Sequence, residues 1–411
     1  VKAEDRSAGE ERRGKGGGAT VRRKIIHAVQ LVLAFILIAI LLSKVQIDDV
    51  AVLPAGTPMA GEYEGELSRD GVRTVFVADA GFRLEALYDG ETLREVRLTG
   101  EDEETKLVDA DLLPEIELKE GLVTCLRRTD PLLFAEALGV YILAYVCAIV
   151  RWKVLLDAAG LPTSIGQATR LSCIGLFFNN LVPGLTGGDL VKCFYVAKEN
   201  NKRKTDAIIT VIVDRVMGVV VLAAFSAAAV LTDIEKYWQV ALSIYLFLAA
   251  TMAAGLVFYS SRLRRIFFVD KIIDLLPFTD LIRKVDRSAF LYRYRKRAIL
   301  LCVLLTAGVH LFVILSLSIL GKGLGIDCTL ITYAILVPII LIVSALPITP
   351  AGWGWGEVSF VAVFGFAGVP AVLALSLSFI HRFNTLVISL SGGAFLLMGK
   401  ARSDRGREEI P

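Results

Sequence analysis

Asn179-Asn180-Leu181-Val182-Pro183-Gly184-Leu185-Thr186-Gly187-Gly188-Asp189 and Leu346-Pro347-Ile348-Thr349-Pro350-Ala351-Gly352-Trp353-Gly354-Trp355-Gly356-Glu357 set glycine, proline and a carboxylate inside otherwise apolar sequence. Each stretch should break a helix. Inside a bilayer such a break frees backbone groups that hydrocarbon cannot satisfy, so it persists only where protein buries it or a polar cavity receives it. Two Gly/Pro-interrupted apolar segments in the two halves of one chain are the sequence pattern of a transporter's central site. The expected fold class is therefore an α-helical polytopic membrane protein whose two broken elements build one central site.

Composition agrees. Of 411 residues, 55% are hydrophobic, above the roughly 45–50% of soluble domains, and several runs approach the ~20 apolar residues that cross a bilayer. The net charge of +3 conceals a split. Residues 46–130 carry 21 acidic and 9 basic side chains, and the rest of the chain is correspondingly basic. The acidic part reads as a soluble module. Cys125, Cys147, Cys173, Cys193, Cys302 and Cys328 form no C-x-x-C and no His/Cys cluster, which argues against a zinc or redox motif. No G-x-x-x-x-G-K-[ST] occurs, so ATP-driven pumping by this chain is not expected. No cofactor, metal or nucleic-acid partner is expected.

Residues 1–24 read as a basic, disordered cytoplasmic tail and 25–43 as an uncleaved first span. Residues 44–130 read as an acidic extracytoplasmic β-rich domain. Alternation over Val72–Val77, Phe82–Leu87 and Leu93–Leu98, with a turn at Asp89-Gly90, marks its strands. A membrane domain over 131–399 follows, with spans at 131–150, 207–231, 240–259, 298–320, 329–346, 358–377 and 378–398. The total is eight, which places both termini in the cytoplasm with the tail 400–411 and the basic loop 262–297. Leu171–Val182 lies between two basic flanks, so the segment near 166–189 is expected to be a re-entrant hairpin. The element near 346–357 turns partway through the membrane. Residues 262–290 alternate charged and apolar groups as an interfacial helix does. The default location is a plasma (inner) membrane.

Within the first break, Asn179, Asn180, Pro183, Gly187 and Gly188 shape the tip. Asp189 and Lys192 share a helix face, where Asp189 serves either as a helix cap or in ligand and proton handling. Asp214 and Arg215 are adjacent in a helix and point about 100° apart, so each needs a partner on another helix. Arg382 lies inside a long apolar run beside His381, and must face the protein interior or a wet cavity. Pro350, Gly352 and Glu357 mark the second break, where Trp353 and Trp355 either anchor at the interface or line a groove. Arg215 and Arg382 then either neutralise Asp189, Asp214 and Glu357 or bind a lipid phosphate, whose geometry an arginine fork matches. His310 reads as a hydrogen-bonded interior residue.

Three ordered motifs carry a resemblance: Pro183 to Asp189, Val213-Asp214-Arg215-Val216-Met217-Gly218, and Leu346 to Glu357. Together they resemble the lysylphosphatidylglycerol synthase transmembrane region, also called the flippase-like domain family, from about residue 130 to 400. The resemblance implies a membrane domain that moves lipid between leaflets, which best-known members join to a soluble aminoacyl transferase. The sequence runs only about a dozen residues past the last span, so synthesis of lysyl-lipid is not expected. The acidic module is not part of the family pattern. The expected function is translocation of an anionic phospholipid or polyprenyl-linked lipid, with an anionic membrane lipid as partner. The alternatives are an enzyme or enzyme subunit of lipid-linked glycosyl transfer, and a membrane scaffold whose outer domain binds a protein.

Overall fold

The computed structural model describes residues 32–43, 47–55, 59–70, 73–89, 92–100, 105–108, 110–181, 187–199, 203–259, 295–344 and 352–408, with a few single positions between them. The expected tail over 1–24, the turns at Pro183, Pro347 and Pro350, and nearly all of the expected interfacial segment 262–290 lie outside the described residues.

Helix α1 (Val32–Ser43) leads into a seven-stranded antiparallel sheet. Its strands are β1 (Asp49–Leu53), β2 (Gly61–Asp70), β3 (Arg73–Ala78), β4 (Arg83–Asp89), β5 (Thr92–Thr99), β6 (Thr105–Leu107) and β7 (Glu117–Lys119), in the order β6-β5-β4-β3-β2-β1-β7. Alternation produced this sheet as the sequence predicts. Phe76, Leu84, Ala86, Val96 and Leu98 are buried together, with Phe76 opposite Leu84, Leu84 opposite Leu98 and Ala86 opposite Val96. A 3-10 turn at Ala110–Glu115 brings Leu113 onto the same cluster.

One carboxylate ties this domain to the helices. Asp49 is 4% exposed and accepts from Leu67 N at 2.7 Å, Gly121 N at 2.6 Å and Thr124 Oγ1 at 2.7 Å. Gly121 and Thr124 belong to the start of α2 (Leu122–Arg127), so the sheet and the helix share one acceptor. Beside it, burial pushes the Cys125 thiol up to about 11.

Among the described residues nine further helices follow: α3 (Pro131–Ala158), α4 (Ile165–Leu181), α5 (Gly187–Glu199), α6 (Lys204–Val230), α7 (Trp238–Tyr259), α8 (Lys296–Gly323), α9 (Leu330–Ser344), α10 (Trp355–Gly365) and α11 (Ala371–Glu408). Among the described residues, Pro131–Ala158, Thr205–Asp233, Lys296–Gly323 and Ala371–Met398 are long and apolar enough to cross a membrane. Val32–Ser43, Ala241–Ala253, Leu330–Ser344 and Trp355–Gly365 are shorter apolar helices. The expected pair of spans at 358–377 and 378–398 is corrected. The chain turns at 366–370, ahead of a proline whose missing N–H suits a helix start, and α11 runs unbroken through 377 and into the expected tail.

Helix α3 leaves the β domain, and α8 returns antiparallel along its length. Ser316 Oγ donates to the Ala137 carbonyl at 2.8 Å, Gly308 faces Cys147, and Cys302 Sγ meets the Arg151 carbonyl at 3.7 Å. Two helical hairpins enter this framework from opposite ends. The first, α4 and α5, starts at the far end, where Leu161 clusters with Leu155 of α3 and Ala207 of α6. Its arms touch backbone to backbone: a β-carbon at Gly188 would overlap the Gly175 carbonyl oxygen. The second, α9 and α10, starts at the β-domain end. Tyr333 and Phe364 meet edge to face at its open end with centroids 5.4 Å apart, and Trp355 Nε1 donates to the Val343 carbonyl at 2.8 Å near its tip. Arms of 17, 13, 15 and 11 residues reach about 25, 20, 22 and 16 Å, short of the ~30 Å hydrocarbon core.

The two halves pack reciprocally. The first arm of each hairpin lies on the last helix of the other half: α4 on α11, where a β-carbon at Gly392 would overlap the Cys173 carbonyl, and α9 on α6, where Ser226 Oγ donates to the Ile335 carbonyl at 3.0 Å. Helix, hairpin and helix thus occur twice, in opposite directions, about the α3–α8 contact.

Replacing Asp49 by Ala should lower stability by about 3 kcal/mol, since three donors lose a charged acceptor. The thermal midpoint should fall and proteolysis should open the 108–121 junction. An unchanged midpoint would show that the junction is held elsewhere.

Candidate functional site

At the first hairpin tip, Gly187-Gly188-Asp189 opens α5, and Asn179 Oδ1 accepts from Gly188 N at 2.8 Å, closing the turn. Asp189 is 6% exposed, with its two oxygens 2.7 and 2.6 Å from Arg215 Nη2. Arg215 Nε and Nη1 make no hydrogen bond among the described residues, and the Arg215 side chain is 58% exposed. Asn180 turns back along its own helix, Nδ2 donating to the Leu176 carbonyl at 3.1 Å.

Behind Arg215 lies a cavity of about 360 Å³ into which Asn179, Lys192, Asp214, Arg215, Arg151 and His310 converge. The Lys192 ammonium sits 5.2 Å from the centre of the Trp152 ring. Arg151 grips Asp214 with two bonds of 2.7 and 2.9 Å and extends Nη1 to Thr306 Oγ1 at 3.2 Å. His310 Nε2 donates to the Gly218 carbonyl at 3.0 Å, the interior role the sequence predicts. As expected, Asp214 and Arg215 find their partners on other helices. Asp214 is neutralised by Arg151, which the sequence places in a cytoplasmic flank. Helix α3 continues to Ala158, so Arg151 is 8% exposed inside the bundle. Arg151, Trp152 and Thr306 escape a sequence reading, because only the α3–α8 packing turns them toward Asp214. Arg215, Lys192 and Arg151 stand against Asp189 and Asp214, and the Lys192 ammonium has no carboxylate within salt-bridge distance among the described residues.

The second tip repeats the first with different neighbours. Glu357 is fully buried and its Oε1 accepts from Arg382 Nε at 2.6 Å; Arg382 Nη2 donates to the Gly352 carbonyl at 3.0 Å. The Arg382 guanidinium carbon lies 4.3 Å from the Trp353 ring centre. Asp189 and Glu357 each lie two residues past the start of a returning arm, and Arg215 and Arg382 each lie eleven residues past the start of the next helix. The two breaks do not merge into the single charged site that the sequence predicts. From the second hairpin the cavity receives apolar wall, Leu341 and Ile342, while Gly352, Glu357 and Arg382 stand apart from it.

Substituting Asp214 by Ala leaves Arg151 buried without its counter-charge and should cost about 3–5 kcal/mol. The paired change Arg151→Met with Asp214→Leu should recover most of that loss in thermal unfolding. If the single variant unfolds like the wild type, the pair does not hold the bundle.

A family model described as the lysylphosphatidylglycerol synthase TM region matches residues 119–392, leaving α1 and most of the β domain outside the match. UPF0104 membrane protein MJ1595 of Methanocaldococcus jannaschii is 22% identical over 303 residues, covering 70% of this chain and 90% of that protein. UPF0104 membrane protein PH1989 of Pyrococcus horikoshii is 26% identical over 307 residues, covering 68% and 91%. The family match takes in the paired hairpins and the helices that grip them, and the chain belongs to the lysylphosphatidylglycerol synthase transmembrane-region family.

Proposed function

We propose that this chain moves an anionic amphiphile, a phospholipid or polyprenyl-linked lipid, between the leaflets of a membrane. The observation that carries this reading is the Arg215 guanidinium. It is held in place by Asp189 through one nitrogen and turns its remaining donors toward a cavity that also holds Lys192. A phosphate diester presents two charged oxygens, which a guanidinium edge meets bidentately and an ammonium meets as a point charge. The cavity admits a headgroup but not two acyl chains, so the chains stay in the lipid beside the bundle while the headgroup crosses. Family membership supports the reading, since the family's name couples it to a phospholipid whose headgroup carries a phosphate diester.

On this reading α1, α3, α6, α7, α8 and α11 cross the bilayer, and the two hairpins are re-entrant from opposite faces. Six crossings place the segments before α1 and after α11 on one side, the cytoplasmic one by their basic flanks, in a plasma membrane with the β domain outside. The hairpin tips lie near the midplane, where broken helices and buried cations lower the barrier to a charged headgroup.

Purified protein in liposomes containing fluorescent phosphatidylglycerol tests this. Arg215→Gln with Lys192→Met should slow transbilayer movement by at least about tenfold, some 1.4 kcal/mol of barrier, while Arg215→Lys retains part of the rate. Wild-type movement in the double variant, with an unchanged unfolding midpoint, would remove this site from transport.

A further inference from the structure

The second arginine repeats the first in position but not in state. Arg215 keeps donors unused and is 58% exposed, whereas Arg382 is 20% exposed, engaged by Glu357 and the Gly352 carbonyl, and covered by an indole. The cover is built to move. Trp353 stands between Gly352 and Gly354, whose φ angles of 70° and 77° lie in the left-handed region, so both bonds of its backbone hinge are at residues with wide conformational freedom. Gly354 packs against Ala34 and Leu37 of α1, leaving Gly352 and Trp353 as the part free to swing.

Beneath the cover, hydroxyls wait without partners. Ser344 Oγ and Thr349 Oγ1 are buried and make no hydrogen bond among the described residues, and neither does Glu357 Oε2. Ser344 Oγ and Arg382 Nη2 flank one point: an added β-carbon at Gly356 would lie 3.8 Å from the first and 3.0 Å from the second. Thr349 belongs to the same turn, its carbonyl accepting from Gly352 N at 3.2 Å. A buried hydroxyl without a partner costs free energy in the closed state, and an oxyanion beside Arg382 would accept from Ser344 Oγ.

The geometry points to a second oxyanion station at Arg382 and Ser344, related to the Arg215 station by the inverted repeat and shut in this structure by Trp353. It deepens the lipid-transport reading and rests on it: the ligand is the same lipid phosphate, received on the side of the β domain. When Trp353 swings aside, the Gly352 carbonyl leaves with it and its bond to Arg382 Nη2 breaks. Glu357 keeps Nε, as Asp189 keeps one nitrogen of Arg215. The headgroup thus has one station per half, and the present structure has the first open and the second closed.

Native mass spectrometry of protein from phosphatidylglycerol nanodiscs reads this as a lipid count. Trp353→Ala should retain one more phosphatidylglycerol per chain than the wild type, Trp353→Phe should match the wild type, and adding Arg382→Gln to Trp353→Ala should remove the extra lipid. Trp353→Leu replaces the alanine variant if that one fails to fold. No gain in the opened variants, or a gain that Arg382→Gln leaves intact, overturns the second station. Loss of the extra lipid on adding inorganic phosphate confirms phosphate recognition there, while a second ion retained from inorganic phosphate alone, with no lipid gain, overturns the lipid assignment. The transport reading fails separately, if Arg215→Gln leaves the wild-type lipid count unchanged.

Discussion

A carboxylate at the start of a helix in an apolar bundle needs a cation beside it, and both hairpins depend on that match. Asp189 and Glu357 sit in the first turn of an arm that begins inside the bundle, at 6% and 0% exposure. Their charges suit the positive end of each arm, but a buried anion without a counter-charge is far more costly than that attraction repays. Arg215 and Arg382 supply the counter-charge from the next helix in the chain, and so fix how deep each tip lies. Between them, the ion pairs set the position of every other group at the two tips.

The two halves run in opposite directions. One hairpin starts where the other half ends, so on the proposed transport reading a headgroup moving between the tips meets one half and then its inverted counterpart. The halves have diverged in the residue ahead of the arginine. Asp214 draws Arg151 and Thr306 into a charged wall, whereas His381 lies edge-on to Tyr141 with centroids 5.4 Å apart. The charged wall lines a cavity of about 360 Å³, whereas aromatic rings pack around His381.

Much of this was legible before any coordinates. Strands β3 to β5 announce themselves by alternation, and the breaks at Pro183 and Pro350 announce two hairpins. Strand β2 does not, because Glu62, Glu64 and Glu66 line one face and a glycine interrupts the other. The turn at 366–370 was equally silent: Phe366, Ala367 and Val369 continue the apolar run, so hydropathy registers no boundary there. Arg151 reads as the basic end of a span, since a charge after nineteen residues beginning at Leu132 is where a span should end.

The sequence by itself determined the class of molecule, the β domain, the two broken elements and the residues bearing charge inside the bundle. These follow from local physics: period, hydropathy, and what proline and glycine do to a helix. Tertiary structure alone decided which charges meet, and that the two breaks hold separate ion pairs rather than one charged cluster. Partners such as Arg151 and Asp214 are 63 residues apart, and side chains point 100° apart at successive helical positions. Only the packing of α3 on α8, and of each hairpin on the opposite half, brings a given face to a given partner.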